Sequence, residues 1–185
     1  MSAKHWFSPS YQEARKRFLD SIEELREKGF EISQDELPLN LKGPQDEDLI
    51  IDIAVVGSLE CENLLLYSSG IHGVEGFAGS AIQLSILEEL KYDEPFKNYC
   101  IVFIHIINPY GMAWHRRVNE NNVDLNRNFL TSHEGEPVGY KNIDSFINPS
   151  STPRKFDPIF LINGIWLLLK YGFTKRQGGF NRHLR

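Results

Sequence analysis

Leu64-Leu65-Leu66-Tyr67-Ser68-Ser69-Gly70-Ile71-His72-Gly73-Val74-Glu75-Gly76-Phe77 is the stretch that decides the fold of this chain. It begins as an apolar run, which fits a strand covered on both faces. Gly70, Gly73 and Gly76 then mark a tight turn. Beyond it, over residues 77–90, Ala78, Ala81, Ile82, Ile86 and Leu90 recur at helical spacing and predict a helix with one inner side. Cys100-Ile101-Val102-Phe103-Ile104-His105-Ile106-Ile107 reads as the next strand, ended by Asn108-Pro109-Tyr110-Gly111. Strand, helix, strand predicts a βαβ unit and a mostly parallel sheet.

Working outward, residues 48–57 read as another strand and 31–45 as an irregular connection containing Pro38, Gly43 and Pro44. Residues 10–28 predict a helix. Ser10 and Glu13 form a capping box, and Tyr11, Ala14, Phe18, Ile22 and Leu25 make one apolar stripe, a docking face. After Phe129, residues 131–156 are polar and rich in Ser, Asn and Pro, a long surface loop. A helix is expected over 157–171, and residues 174–185 form a basic, acid-free tail without periodicity. The expected organisation is one incomplete domain over 1–173 followed by that tail.

A chain of 185 residues suits a single domain with a sizeable core. A net charge of −5 argues against nucleic acid as a partner, since phosphate binding needs a concentrated basic surface. The longest apolar stretch, 159–169, is interrupted by Asn163 and falls short of the ~17–25 residues of a membrane span, so it reads as a buried helix. The N-terminus carries no secretory pattern. Cys61 and Cys100 fit no metal spacing and read as reduced structural residues, with a disulfide as the alternative. A cytoplasmic protein with no membrane partner is expected.

The chemistry lies in two motifs. His72 and Glu75 stand three positions apart just past a strand end, where ligands of parallel sheets collect. Imidazole nitrogen and carboxylate oxygen are zinc donors, and a catalytic site commonly takes three protein ligands and a water. Zinc lowers the pKa of that water toward ~7 and polarises a carbonyl. The alternative is a His and a Glu in a surface loop, each bonded to backbone. The second motif is Arg116-Arg117-Val118-Asn119, running on to Asp124-Leu125-Asn126-Arg127-Asn128-Phe129. Arg presents a planar fork that matches a carboxylate and can stabilise an oxyanion. Taken singly, each Arg reads first as a surface or ion-pair residue, and Asp124 as an Arg partner or turn former.

Together these motifs resemble the zinc carboxypeptidase superfamily. Within it, the His72-Gly73-Val74-Glu75-Gly76-Phe77 turn is similar to a bacterial branch of carboxypeptidase-like proteins. The aspartoacylase and succinylglutamate desuccinylase branch has Asn where this chain has Val74. The resemblance covers about residues 48–171. It implies an α/β fold of three layers, a mostly parallel mixed sheet with helices on both faces. It implies zinc held by His72 and Glu75, an oxyanion-stabilising Arg117, and Asn126 and Arg127 on the substrate carboxylate. The implied reaction is hydrolysis of a peptide or N-acyl amino acid with a free carboxylate.

The family's third zinc ligand, a His, and its general base, a Glu, fall well after the Asn-Arg motif. His133, Glu134, Glu136 and His183 are the candidates left, and none follows a strand pattern. With two of three ligands in place, the expectation is a truncated or frameshifted family member with crippled chemistry. The alternative is a non-catalytic remnant or carboxylate-binding module. Self-association through an unpaired sheet edge is expected of such a chain.

Overall fold

The computed structural model describes residues 3–92, 99–129, 131, 158–167 and 169. The chain divides into two compact units, Met1–Phe129 and Leu130–Arg185. In the first, the order is α1 (Tyr11–Glu27), β1 (Ile32–Lys42), β2 (Asp48–Val56), β3 (Asn63–Ser68), α2 (Gly76–Leu90), β4 (Tyr99–His105) and α3 (Pro109–Ala113). Helix α4 (Pro158–Leu167) lies in the second unit.

Helix α1 begins as its sequence dictates: the Glu13 amide donates to the Ser10 hydroxyl at 3.1 Å. Its apolar stripe of Tyr11, Ala14, Phe18, Ile22 and Leu25 is wholly buried. The Tyr11 hydroxyl accepts from the Ile50 amide at 2.9 Å and donates to the Ile50 carbonyl at 2.8 Å, pinning the helix to β2. Burial pushes that phenol up to about 12. Arg15 grips Asp52 of β2 with two bonds of 2.8 and 2.9 Å.

The four strands form one sheet in the order β1-β2-β4-β3. Strands β3 and β4 are parallel and joined through α2, the βαβ unit that the spacing predicts. The two pairings of β2 are antiparallel, so the sheet is mixed and its parallel part is confined to that unit. The α/β class stands. Residues 31–45 are not the irregular connection expected. Strand β1 runs through most of them, paired with β2 from Ile32↔Val56 to Lys42↔Asp48, with a register shift after Pro38. Pro38 and the surrounding charges suit an edge strand, where one row of backbone groups faces water.

The main core joins Phe18, Ile22 and Leu25 of α1 and Leu84, Leu87 and Leu90 of α2 with Ala54, Val56, Ile101 and Phe103 of the sheet. Helices α1 and α2 therefore share one face. On the other face, Leu64 and Leu66 of β3 remain exposed. Helix α4 is apolar apart from Asn163, yet Ile159, Leu161, Ile162, Ile165 and Trp166 are exposed rather than buried as expected. A helix apolar on nearly every side requires cover. No helix among the described residues is long and apolar enough to cross a membrane.

Candidate functional site

The site grows from the paired ends of β3 and β4. Backbone bonds continue past both strands: Ser69 N to Ile104 O at 3.2 Å, Ile107 N to Ser69 O at 2.9 Å, and Asn108 N to Gly70 O at 3.0 Å. The two turns that carry the motifs thus leave the sheet side by side. Two glycines allow this approach. Gly70 has φ +72°, and a Cβ there would sit 2.3 Å from the Ile106 side chain. A Cβ on Gly73 would lie 2.1 Å from the Gly111 backbone, so the turn and α3 touch main chain to main chain.

The segment after α3 is laced onto the first turn. Gly73 N donates to Arg117 O at 3.3 Å, and Val74 N to Arg116 O at 3.0 Å. Asn108 is buried beneath both. Its Oδ1 accepts from Gly111 N at 2.8 Å, and its Nδ2 reaches the carbonyls of Ile71 and Arg117 at 3.5 Å each.

His72 lies at the centre. Its Nε2 is 2.9 Å from Asp124 Oδ1, and its Nδ1 is 3.4 Å from the Glu75 carboxylate. Arg117 spans both acids, with Nε to Asp124 Oδ2 at 3.1 Å and an Nη to Glu75 Oε1 at 3.5 Å. Partial burial works to raise the Asp124 carboxyl, but the hydrogen bonds from His72 and Arg117 outweigh it and hold the group below its usual range. Asp124 Oδ1 also accepts from Asn126 N at 2.9 Å and caps the helical turn Leu125–Arg127.

Of the residues singled out by sequence, His72, Glu75 and Arg117 come together in one cluster. Asn126 and Arg127 stand beside it on the turn that Asp124 caps, both exposed, with Arg127 donating to the Asn126 carbonyl at 3.1 Å. Asp124 holds more than the Arg partnership and turn-forming role read for it, because it also holds His72. A carboxylate on the second nitrogen of a metal-type histidine is a recurring arrangement, and this was the available signal. Asn108 was read only as part of a strand-ending turn.

The donor chemistry fits two corners of a zinc site: His72 Nδ1 and the Glu75 carboxylate converge, while Nε2 is tied back to Asp124. Among the described residues, no group of three or more His, Cys, Asp and Glu side chains is placed to hold a metal ion. The remaining candidates His133, Glu134, Glu136 and His183, and the tail 174–185, lie outside the described residues.

Residues 7–181 match the family described as "Protein of unknown function (DUF2817)". No curated protein sequence matches the chain. Among solved structures it is similar to a glutaminyl cyclase of Porphyromonas gingivalis, at 14% identity and a TM-score of 0.32. That likeness takes in 59% of this chain and spans half the length of the cyclase, and at that level it bears on neither chemistry nor substrate.

Proposed function

The chain belongs to the DUF2817 family, and from that premise we propose that it is a zinc-dependent, metallocarboxypeptidase-like hydrolase of a peptide or N-acyl amino acid with a free carboxylate. The observation that carries this reading is the histidine clamp. Asp124 fixes the His72 ring through Nε2, which turns Nδ1 toward Glu75.

In this reading His72 and Glu75 hold the ion. Bound zinc would supply Lewis acidity, polarising the scissile carbonyl and lowering the pKa of water toward ~7. Arg117, half-exposed between two acids, offers a fixed positive charge beside the reacting carbonyl. Asn126 and Arg127 face solvent and take the substrate carboxylate, Arg127 through its planar fork. The backbone lacing of 73–74 to 116–117 holds the His72 turn against the arginine segment. The reading requires a third ligand and a general base beyond the described residues.

The test is zinc content of the purified chain by elemental analysis, beside His72→Ala, with hydrolysis measured on N-acyl amino acids and their carboxyl-blocked amides. Stoichiometric zinc lost in His72→Ala, with cleavage only of the free acids, is the expected result. Equal metal content in both proteins would overturn the zinc site. Absence of zinc with retained binding of N-acyl amino acids, lost in Arg127→Ala, would favour a carboxylate-binding module.

A further inference from the structure

Far from this site, at the opposite end of β3, stand Cys61 and Cys100, both free thiols. The local fold brings them together. Gly57 leaves β2 with φ +103° and is pressed on the start of β4: a Cβ there would lie 2.8 Å from Tyr99 O and 3.5 Å from Cys100 Cα. The chain then turns back, closed by Cys61 N donating to Ser58 O at 3.2 Å. Cys61 Sγ lies 3.1 Å from the carbonyl of Asn63, the first residue of β3. Asn63 and Leu64 pair with Tyr99 and Cys100. This path sets the Cys61 thiol against the start of the β3–β4 ladder, at the residue next to the Leu64–Cys100 pair. Cys61 is half-buried and Cys100 buried, so an oxidant reaches Cys61 first.

We propose that Cys61 and Cys100 form a reversible oxidation site, closed to an intramolecular disulfide by a hydroperoxide. The Cys61 thiolate attacks a peroxide oxygen, the O–O bond breaks, and the alcohol or water leaves with a proton, making Cys61 a sulfenic acid. Cys100 loses its proton and its sulfur attacks the Cys61 sulfur. The S–O bond breaks, and the departing hydroxide takes up a proton to give water. Two thiols are oxidised by two electrons and one peroxide bond is reduced. A dithiol reductant reopens the bridge by exchange. A disulfide here would pin the 57–62 loop to β4 without touching the His72 cluster.

The test treats the full chain with hydrogen peroxide, counts free thiols and maps peptides without reduction. The expected result is loss of both thiols, a mass lower by two hydrogens, a Cys61–Cys100 cross-linked peptide, and recovery with dithiothreitol. In Cys61→Ser, Cys100 should stay reduced at the same dose. In Cys100→Ser, Cys61 should run on to sulfinic acid or to dimers between chains. Sulfinic Cys61 without the cross-link in the unaltered chain would overturn the proposal, as would oxidation of Cys100 in Cys61→Ser at the unaltered rate.

Discussion

Among the described residues, two imidazoles are nearly withdrawn from water, His72 at 8% exposure and His105 at 0%, yet their surroundings differ. His105 is on β4 inside the core. The Phe18 ring stacks on it at 4.5 Å, its Nε2 meets the Ser80 hydroxyl at 3.0 Å, and its Nδ1 has no hydrogen-bond partner among the described residues. Burial, with the Arg15 charge adding to it, pushes its pKa down to about 3. His72 has an acid on each ring nitrogen and a guanidinium spanning those acids. Similar burial thus leaves the two rings in different electrostatic settings. Burial beneath the Phe18 ring disfavours positive charge on His105, whereas carboxylates stand at both nitrogens of His72.

The comparison breaks most sharply through the core. Phe18 is fully buried, stacked on His105 and edge-on to Phe103. Phe18→Ala should cost about 3–5 kcal/mol in urea denaturation. A loss under about 1 kcal/mol would show that the wall around His105 is not what holds the domain together.

The second break is by acid. The folded His105 pKa of about 3 is lower than the ordinary 6.5 of an unfolded chain, so between these values the unfolded state binds a proton that the folded state refuses. Its stability contribution is complete above about 6.5 and is lost as pH falls toward 3, by about 1.4 kcal/mol per pH unit. Denaturation at pH 7 and pH 5 should therefore differ by about 2 kcal/mol from this group. His105→Gln should flatten that difference, and an unchanged slope would remove His105 from the account.

The third acts on the other imidazole and rests on the proposed zinc site. Asp124→Asn keeps the shape but removes the charge facing His72 Nε2. Zinc affinity, read by competition with a chelating dye, should fall about 10–100-fold. Stability at pH 7 should change little, because the carboxylate is near the surface and partly solvated. An unchanged affinity would leave Asp124 as a turn cap alone.

How far the sequence carries follows the same divide between local and distant contacts. The buried stripe of α1 and the β3-α2-β4 unit were legible because each depends on spacing within a short segment. Strand β1 was not. Leu37, Leu39 and Leu41 do alternate with polar residues or Pro, but Pro38 and Gly43 obscure them, and what makes them a strand is β2. The exposed face of α4 was missed because an apolar run states a need for cover, not what supplies it. In the site, the His72–Glu75 spacing is local and was read directly. The 2.9 Å contact from His72 to Asp124 crosses 52 positions and exists only because β3 and β4 end together. Asn108 is hidden for the same reason, since its partners Ile71 and Arg117 belong to two other segments.

The smallest effect separates two explanations of the His105 side. Ser80 supplies the hydrogen bond to its Nε2, while the apolar wall supplies the burial. Ser80→Ala should cost about 1 kcal/mol at pH 7, the loss of a buried hydrogen bond, reduced by the better helix propensity of Ala within α2. It should leave the slope between pH 7 and pH 5 as it was, because that slope comes from withdrawing the ring from water and Ser80 accounts for none of the largest cause. The two quantities are read from one set of denaturation curves: the offset reports the hydrogen bond and the slope reports the wall. If Ser80→Ala flattened the slope instead, the hydroxyl and not the rings would be what keeps His105 neutral. The contrast with His72 would then be one between two hydrogen-bonded histidines rather than between an apolar cage and a charged one.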